Sequence, residues 1–570
     1  VSGWRVAVLA LLVLLIGVPL FAPFHDALAY PGAWHIWVEW GRLFGLARNT
    51  VLLVAGTLAL ALPAGVVGAL LLYRTDLPFR RLFRFVALLT LFVPLPLFAS
   101  GWQAAMGSGG WLPATFWSPP PPPSDPDVSP TGLVWKAWGR GLNAALWIHT
   151  IAAVPWVVLL VGQGLRWVER DLEEEALTFA GPWRVLRYVT LRRSLAAIGG
   201  AALWIMLQTA TEITVTDMFQ VRTFGEEVYT QFVAPDAADA VARAVVASLP
   251  SVLLTAVIVL AATTWWEARL PPLETASVSP HVYRLGRARW PSCLALAVLV
   301  AVLAAVPVGS LVWKVGLGGS PRHWSSAVAT AHMGFVLRIK WRLVAESLVL
   351  AGVAGGVTAA LALVTCWLAL GTRWFHTAIL LLIAAAWSLP GPVVGLGLKG
   401  AINFLLPAER GGIVERLLYL GPSPVPALWV DLLRFFPCAV AVLWPVVRLL
   451  PRDLRESARV DGAGPAQELR YVVGPLTLPA LLRAGLVVAV LALGELSAGK
   501  LVETPGSQTF AHEVFTQMHY GVTNDLAAFC LILLVAVTLG GALVALAGLV
   551  VRRPAALEKW RLPQIGGRKQ

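Results

Sequence analysis

The residues with the clearest chemical potential are carboxylates set inside apolar sequence. Glu212 and Glu495 stand at equivalent points, each about seventeen residues into a long apolar run. A charge within such a run is costly to desolvate and tends to line a polar path. Asp431 and Arg434 are three residues apart, on one face if the segment is helical, and are expected to pair. His149 occupies the place in the first half of the chain that Asp431 occupies in the second. Glu212, Glu495 and Asp431 are therefore candidates for a path that suits a cationic or metal-bearing solute. Hydration or local pairing is the alternative reading of the same residues.

Other chemistry is excluded. Gly494 to Leu501 nearly reproduces a phosphate-binding loop, with Gly499-Lys500 in place. Leu501 lacks the hydroxyl that would ligand Mg²⁺, and an apolar run rather than a strand precedes the segment. No nucleotide site and no catalytic residue is expected in this chain. Cys293, Cys366, Cys438 and Cys530 lie in or beside apolar runs. Their spacing fits neither a zinc site nor a disulfide framework, so buried thiols and no resident metal are expected.

The elements that hold these residues must be membrane helices. Of 570 residues 58% are hydrophobic and 13% charged, with a mean hydropathy of +0.74. A soluble chain carries roughly 25% charged residues. Twelve apolar runs are long enough to span: 4–24, 49–73, 84–106, 143–165, 195–215, 243–266, 290–313, 346–371, 375–399, 426–449, 479–500 and 526–550. Backbone groups in lipid must be satisfied within a segment, which gives an all-α integral membrane fold. The first run is expected to remain as a span rather than be cleaved as a signal peptide. The net charge of +13 falls in short loops, where it sets orientation and needs no nucleic acid partner. Arg74, Arg80, Arg81, Arg84, Arg166 to Arg193, Arg284, Arg287, Arg289 and the tail from Arg552 to Lys569 put both termini on the cytoplasmic side. Lys314, Arg322, Arg338, Lys340 and Arg342 run against that scheme. Five prolines at 119–123 predict an extended polyproline spacer in an outer loop. Trp34, Trp37, Trp40, Trp265, Trp266 and Trp290 are expected as an interfacial belt.

The two halves repeat each other in order. Leu186-Arg187-Tyr188-Val189 returns as Leu469-Arg470-Tyr471-Val472, and Gly181-Pro182 as Gly464-Pro465. Thr223-Phe224, Glu227-Val228 and Thr230-Gln231 return as Thr509-Phe510, Glu513-Val514 and Thr516-Gln517. Asn49-Thr50 faces Glu346-Ser347, and Pro94 with Pro96 faces Pro390 with Pro392. These prolines are positioned to break or kink the third span of each half. Six spans per half make the repeats parallel. The expected domains are 1–270, a cytoplasmic linker 271–289, and 290–570.

Between the fourth and fifth spans of each half lies a polar segment with glycines. In the second half, Arg455 to Val460 can form a short helix, Gly462 and Gly464 end it, and Pro465 can open another. Such a helix–turn–helix offers a soluble partner a handle.

This segment resembles the "EAA" loop of ABC importer permeases: Glu-Ala-Ala, three residues, Gly, nine residues, Ile-x-Leu-Pro. Glu456, Ala458, Gly462, Val472 and Pro475 fall at matching positions, with Ser457 and Gly474 as departures. In the first half Glu173 aligns with Glu456, and Ala176, Gly181 and Pro182 are kept. Glu174 and Glu175 stand where alanines belong, Phe179 replaces the loop glycine, and Arg192 replaces the final Pro. The resemblance implies a type I ABC importer permease-like fold with two permease domains in one chain, as in the ferric-iron type. It implies that Glu173–Leu191 and Glu456–Pro475, with Gly464 and Pro465, dock two ABC ATPase subunits, which bind the ATP and Mg²⁺. It further implies an extracytoplasmic substrate-binding protein, a bacterial inner-membrane location, and iron or another small solute as cargo. An ion-gradient-driven secondary transporter is the rival reading, because it too can have twelve helices in two parallel halves.

Overall fold

A computed structural model describes residues 2–91, 93–106, 141–233, 239–267, 281–319, 323–406, 411–518 and 521–551. The five prolines at 119–123, residues 271–280 of the expected linker, Arg322 and the basic tail from 552 onward lie outside the described residues.

The described residues are helical almost throughout. α1 (Ser2–Ala29), α2 (Trp40–Arg74), α3 (Arg80–Leu91), α4 (Leu95–Met106) and α5 (Leu142–Arg166) come first. A polar helix α6 (Arg170–Phe179) leads to α7 (Pro182–Arg193) and α8 (Leu195–Thr211). After the short α9 (Thr214–Met218) and α10 (Phe224–Val233) comes α11 (Ala240–Glu267). The second half follows with α12 (Gly286–Val315), α13 (Ser326–Ala369), α14 (Arg373–Ser388), α15 (Gly391–Leu405) and α16 (Val425–Arg448). It ends with α17 (Arg452–Val460), α18 (Pro465–Leu493), α19 (Gly499–Val502), α20 (Phe510–Met518) and α21 (Asn524–Val551). The strand pairing among the described residues is slight: a two-stranded hairpin, Leu317–Gly318 with His323–Trp324, and one bridge between Thr75 and Tyr283.

Among the described residues eight helices are long and apolar enough to cross a membrane, or eleven if each bent pair is one span, against the twelve spans expected. The bent pairs are α3–α4 at 103°, α7–α8 at 62° and α14–α15 at 111°. The first and third of these breaks fall at the prolines. Pro94 lies between α3 and α4, and Pro390 between α14 and α15. Proline lacks an N–H and pushes the preceding residue out of the helical region, so the helix stops there. α13, at 44 residues, is about 66 Å long at 1.5 Å per residue, well beyond a hydrocarbon core of about 30 Å. Arg338, Lys340 and Arg342 lie on this one long helix rather than in a loop, and Lys340 is paired with Glu513 at 2.8 Å.

The core is interleaved. Leu12, Ile16 and Leu20 of α1 and Val245 and Ala247 of α11 are buried in one cluster with Phe375, Phe436 and Val447 of the second half. Leu303 and Leu311 of α12 and Phe529 of α21 are buried in another with Leu53, Val157 and Ile205 of the first half. Close backbone approach makes this possible. A Cβ on Gly397 of α15 would lie 1.9 Å from the Pro19 carbonyl oxygen of α1. A Cβ on Gly101 of α4 would lie 2.7 Å from Pro307 of α12. Arg5 Nε also donates to the Leu368 carbonyl at 3.0 Å, and Trp429 Nε1 to the Leu15 carbonyl at 2.7 Å. Lipid offers no hydrophobic force between apolar helices, so such small-residue packing and polar contacts hold them together.

The repeated sequence makes the same contacts twice. The Phe224 N–H donates to Thr50 Oγ1 at 3.2 Å, and the Phe510 N–H to Ser347 Oγ at 3.0 Å. Glu227 accepts from Gln231 and pairs with Arg42 at 2.5 Å. Glu513 accepts from Gln517 and pairs with Lys340.

Candidate functional site

Each candidate glutamate sits just past a helix end, not inside a helix as expected. α8 stops at Thr211 and α18 at Leu493. The reason is local. Glu212 accepts the backbone N–H groups of Thr214 at 2.5 Å and Val215 at 3.0 Å. Glu495 accepts the N–H of Ala498 at 2.7 Å and the Ser497 hydroxyl at 3.0 Å. A carboxylate that satisfies N–H groups two and three residues on caps the next helical turn at the cost of the previous helix. The shared Glu-x-Ser/Thr spacing, Glu212-x-Thr214 and Glu495-x-Ser497, is the sequence signal for this arrangement.

The two glutamates line one cavity of about 130 Å³. The proline break of the first half contributes Val93, Pro94 and Leu95. α5 supplies His149 and Trp156, α8 supplies Trp204 and Gln208, and α16 supplies Arg434 and Phe435. Arg434 pairs with Glu495, with Nε 3.3 Å from Oε2, and donates to Ser497. This corrects the expected Asp431–Arg434 pair: guanidinium and carboxylate share a helix, but the Glu495 turn takes the guanidinium first. Asp431 is buried beside the site and does not line the cavity. A Cβ at Gly391 would lie 2.0 Å from the side chains of both Arg434 and Ser497, so a substitution there would have to displace them. The break at Pro390 therefore abuts the site from the second half.

On the first-half side His149 Nε2 lies 3.8 Å from Glu212 Oε2, beyond hydrogen-bond distance. His149 Nε2 and the nearby Trp204 Nε1 are buried and have no hydrogen-bond partner among the described residues. The Trp156 and Trp204 rings are 5.2 Å apart. The cavity thus joins two capped carboxylates, one guanidinium, unpartnered polar nitrogens and an aromatic wall. Among the described residues no group of three or more His, Cys, Asp or Glu is placed to hold a metal ion.

The near-phosphate loop is used otherwise. It follows the helix α18, and Lys500 reaches Tyr229, with Nζ 2.6 Å from the hydroxyl, while lying over the Phe515 ring.

The two polar loops fold alike but are fastened differently. In the second, α17 ends at Val460, Gly462 takes a φ of +85° that favours glycine, and Pro465 opens α18. Glu456 and Gly462 are on this loop, Pro475 lies inside α18, and Glu456 is exposed. Its buried acid is Glu468, bound by Arg455 and Arg459 at 2.8 Å each and by Trp367 Nε1 at 3.2 Å. Burial alone would raise the Glu468 carboxyl. The hydrogen bonds from Arg459, Arg455 and Trp367 outweigh it and hold the carboxyl below the usual range.

In the first loop the buried acid is Glu173, which is 0% exposed. Glu173 pairs with Arg74 at the end of α2 and accepts from Thr190 at 2.5 Å and Tyr283 at 3.2 Å. Glu173 is therefore an anchor, not a surface handle equivalent to Glu456. Burial pushes the Tyr283 hydroxyl up to about 12, so it stays protonated and donates. Tyr283 comes from the connection between the halves. Its N–H donates to the Arg74 carbonyl at 2.8 Å. Sequence reasoning missed Tyr283, Arg74 and Glu468 because each acts across a gap that only folding closes.

With both loops and the cavity described, comparison with known proteins places the second half. Residues 352–554 match the family model of the binding-protein-dependent transport system inner membrane component. That span contains Asp431, Glu495 and the whole of Glu456–Pro475. The chain is also similar to the putrescine transport system permease protein PotI of Escherichia coli, at 27% identity over 168 residues. Those residues are 28% of this chain and 54% of the relative. A third similarity is to the trehalose transport system permease protein SugB of Mycobacterium tuberculosis, 36% identical over 72 residues, or 12% of this chain and 26% of that one. The chain spans about half the length of the curated putrescine relative it matches.

Proposed function

We propose that this chain is the permease subunit of an ATP-binding-cassette importer, a multi-pass protein of the inner membrane with two six-span repeats in one polypeptide. The observation that carries the reading is the doubled set of contacts, Thr50 to Phe224 and Ser347 to Phe510 with their Glu–Gln pairs, together with a cavity that both halves line. The family match over 352–554 and the two permease relatives support it.

In this reading the two loops couple the membrane part to two ATPase subunits, which bind ATP and Mg²⁺, and an extracytoplasmic binding protein delivers cargo. The cavity is the translocation path. Rocking of the two repeats about it alternates access, with the helix breaks at Pro94 and Pro390 as the moving corners. Glu212 and Glu495 favour a small cationic solute over an anion. Trp156 and Trp204 supply an aromatic wall of the kind that attracts organic cations. Without a metal-ligating cluster among the described residues, an organic cation such as the putrescine named for PotI fits this lining better than bare ferric iron. The expectation of ferric iron rests on the fused two-domain layout and on carboxylates that suit a metal-bearing solute.

The test is gentle purification from the native membrane together with uptake in cells. An ATPase subunit retained by the wild type, and uptake that survives a proton-gradient uncoupler at constant ATP, is the expected result. A chain that transports in liposomes without ATP would replace this reading with an ion-driven carrier.

A further inference from the structure

The two loops match residue for residue at an offset of 283, and the structure shows where the match fails. Arg187–Tyr188 and Arg470–Tyr471 are equivalent and make the same stack, guanidinium 5.5 Å from ring centre in each. Gly181-Pro182 and Gly464-Pro465 open the second helix in both. At the tip between these points the surfaces diverge. Phe179 is 87% exposed and Trp183 71% exposed. Their equivalents are Gly462 and Ala466. The second tip offers Val460 instead. Among the described residues, nothing covers most of either ring. Exposed aromatic anchors of this kind supply most of the energy of many interfaces.

The rings have a defined surround. Asp171, Glu174 and Glu175 are exposed on α6, and Arg184 and Arg187 are exposed just after the tip. Glu174 is paired to Arg170 at 2.5 Å. The helix that presents Phe179 is thus acidic on its outer face. An anionic lipid surface repels that face, while a protein groove with a basic rim complements it.

We propose that Phe179 and Trp183 form the dominant docking anchor of this chain, seated in an apolar pocket with a basic rim on one ATPase subunit. The tip at Val460, Gly462 and Ala466 makes the weaker, shallower contact with the other. The proposal rests on the importer reading above and adds that the two docking sites are unequal. It gives a role to the way the first loop is fastened. A lever that takes the larger docking load is tied by Glu173 to Arg74, Thr190 and Tyr283, so load on the tip reaches α2 and the connection between the halves directly.

The experiment compares the wild type, the double variant Phe179→Ala with Trp183→Ala, and Val460→Ala, each purified with its ATPase, stripped, and titrated with that ATPase. All three positions are exposed, so folding is kept, with unchanged gel-filtration profiles as the check. The double variant is expected to weaken rebinding at one site by at least about tenfold, and Val460→Ala by less than about threefold. In parallel, Phe179→Cys and Ala466→Cys are labelled with a maleimide in nanodiscs of phosphatidylethanolamine and phosphatidylglycerol. Cys293, Cys366, Cys438 and Cys530 are buried, so the introduced thiol is read alone. Protection at 179 only when the ATPase is added supports the proposal. Protection at 179 by the bilayer alone assigns the rings to lipid and overturns it, as do equal losses from the two loops. A wild type that carries no ATPase overturns the importer reading itself. An ATPase retained undiminished by the double variant overturns only the unequal docking.

Discussion

Glu173 and Glu456 align in sequence, yet one is buried under Tyr283 and the other faces solvent. The difference is where the countercharge lies. Arg74 reaches Glu173 from α2, whereas in the second half the arginines sit on α17 and the acid, Glu468, on α18. Removing one partner of a fully buried pair leaves an uncompensated charge. Glu173→Ala is expected to cost about 3–5 kcal/mol, read as a lowered unfolding temperature in detergent; an unchanged melt would show that Arg74 finds another partner. Glu468 gives a pH dependence. Its folded value is depressed, so its stabilisation is full above the ordinary carboxylate value of about 4.3 and is lost as pH falls through the folded value. Protection of the amides over 452–473, taken relative to their intrinsic exchange rate at each pH, should stay high at neutral pH and fall only under acid. Fast exchange at neutral pH would contradict the anchor. For the cavity, Glu212→Gln with Glu495→Gln keeps one acceptor oxygen at each capped turn while removing both charges. Assembly is expected to hold and uptake of a cationic cargo to fall at least about tenfold; unchanged uptake would remove these residues from the path.

Among the elements, the broken helices carry the design. The turns at Pro94 and Pro390 bring Val93, Pro94 and Leu95 to the cavity wall and set Gly391 against Arg434. The next helices, α4 and α15, are where the other half's first helix crosses, at Gly101 and Gly397. Gly397→Ala would force a methyl into the Pro19 carbonyl, and the cost of such overpacking is about 1–3 kcal/mol. The expected readout is earlier proteolysis of α1 and a lower melting temperature. A variant with wild-type protease resistance would mean that α1 can slide without loss.

For the molecule as a whole, the interleaving of α1 and α11 with the second half, and of α12 and α21 with the first, makes the halves interdependent. Tyr283 adds a clasp at the connection. After cleavage at a protease site introduced within residues 268–280, ahead of that clasp, the two halves should still co-purify. Halves that separate on cleavage would show that covalent linkage, rather than packing, holds them together.

How much of this was legible in the sequence follows from range. Apolar runs, prolines that stop helices and glycines that end them act over a few residues, so the helical character of the runs, the breaks at Pro94 and Pro390, and the Pro465 start could be read directly, whereas the number of spans could not: twelve were expected, and among the described residues eight helices, or eleven with each bent pair joined, are long and apolar enough. The repeat could be read because Phe224, Glu227 and Gln231 return in order as Phe510, Glu513 and Gln517. What the sequence could not decide is which charge meets which. Arg434 has Asp431 three residues away and Glu495 sixty-one residues away, and it pairs with the distant one because the Glu495 turn brings its carboxylate and Ser497 together at the guanidinium. Likewise only the tertiary structure could bury Glu173 and leave Phe179 and Trp183 in the open. Pairing of buried charges depends on distances set by packing across the whole chain, and local sequence holds no measure of them.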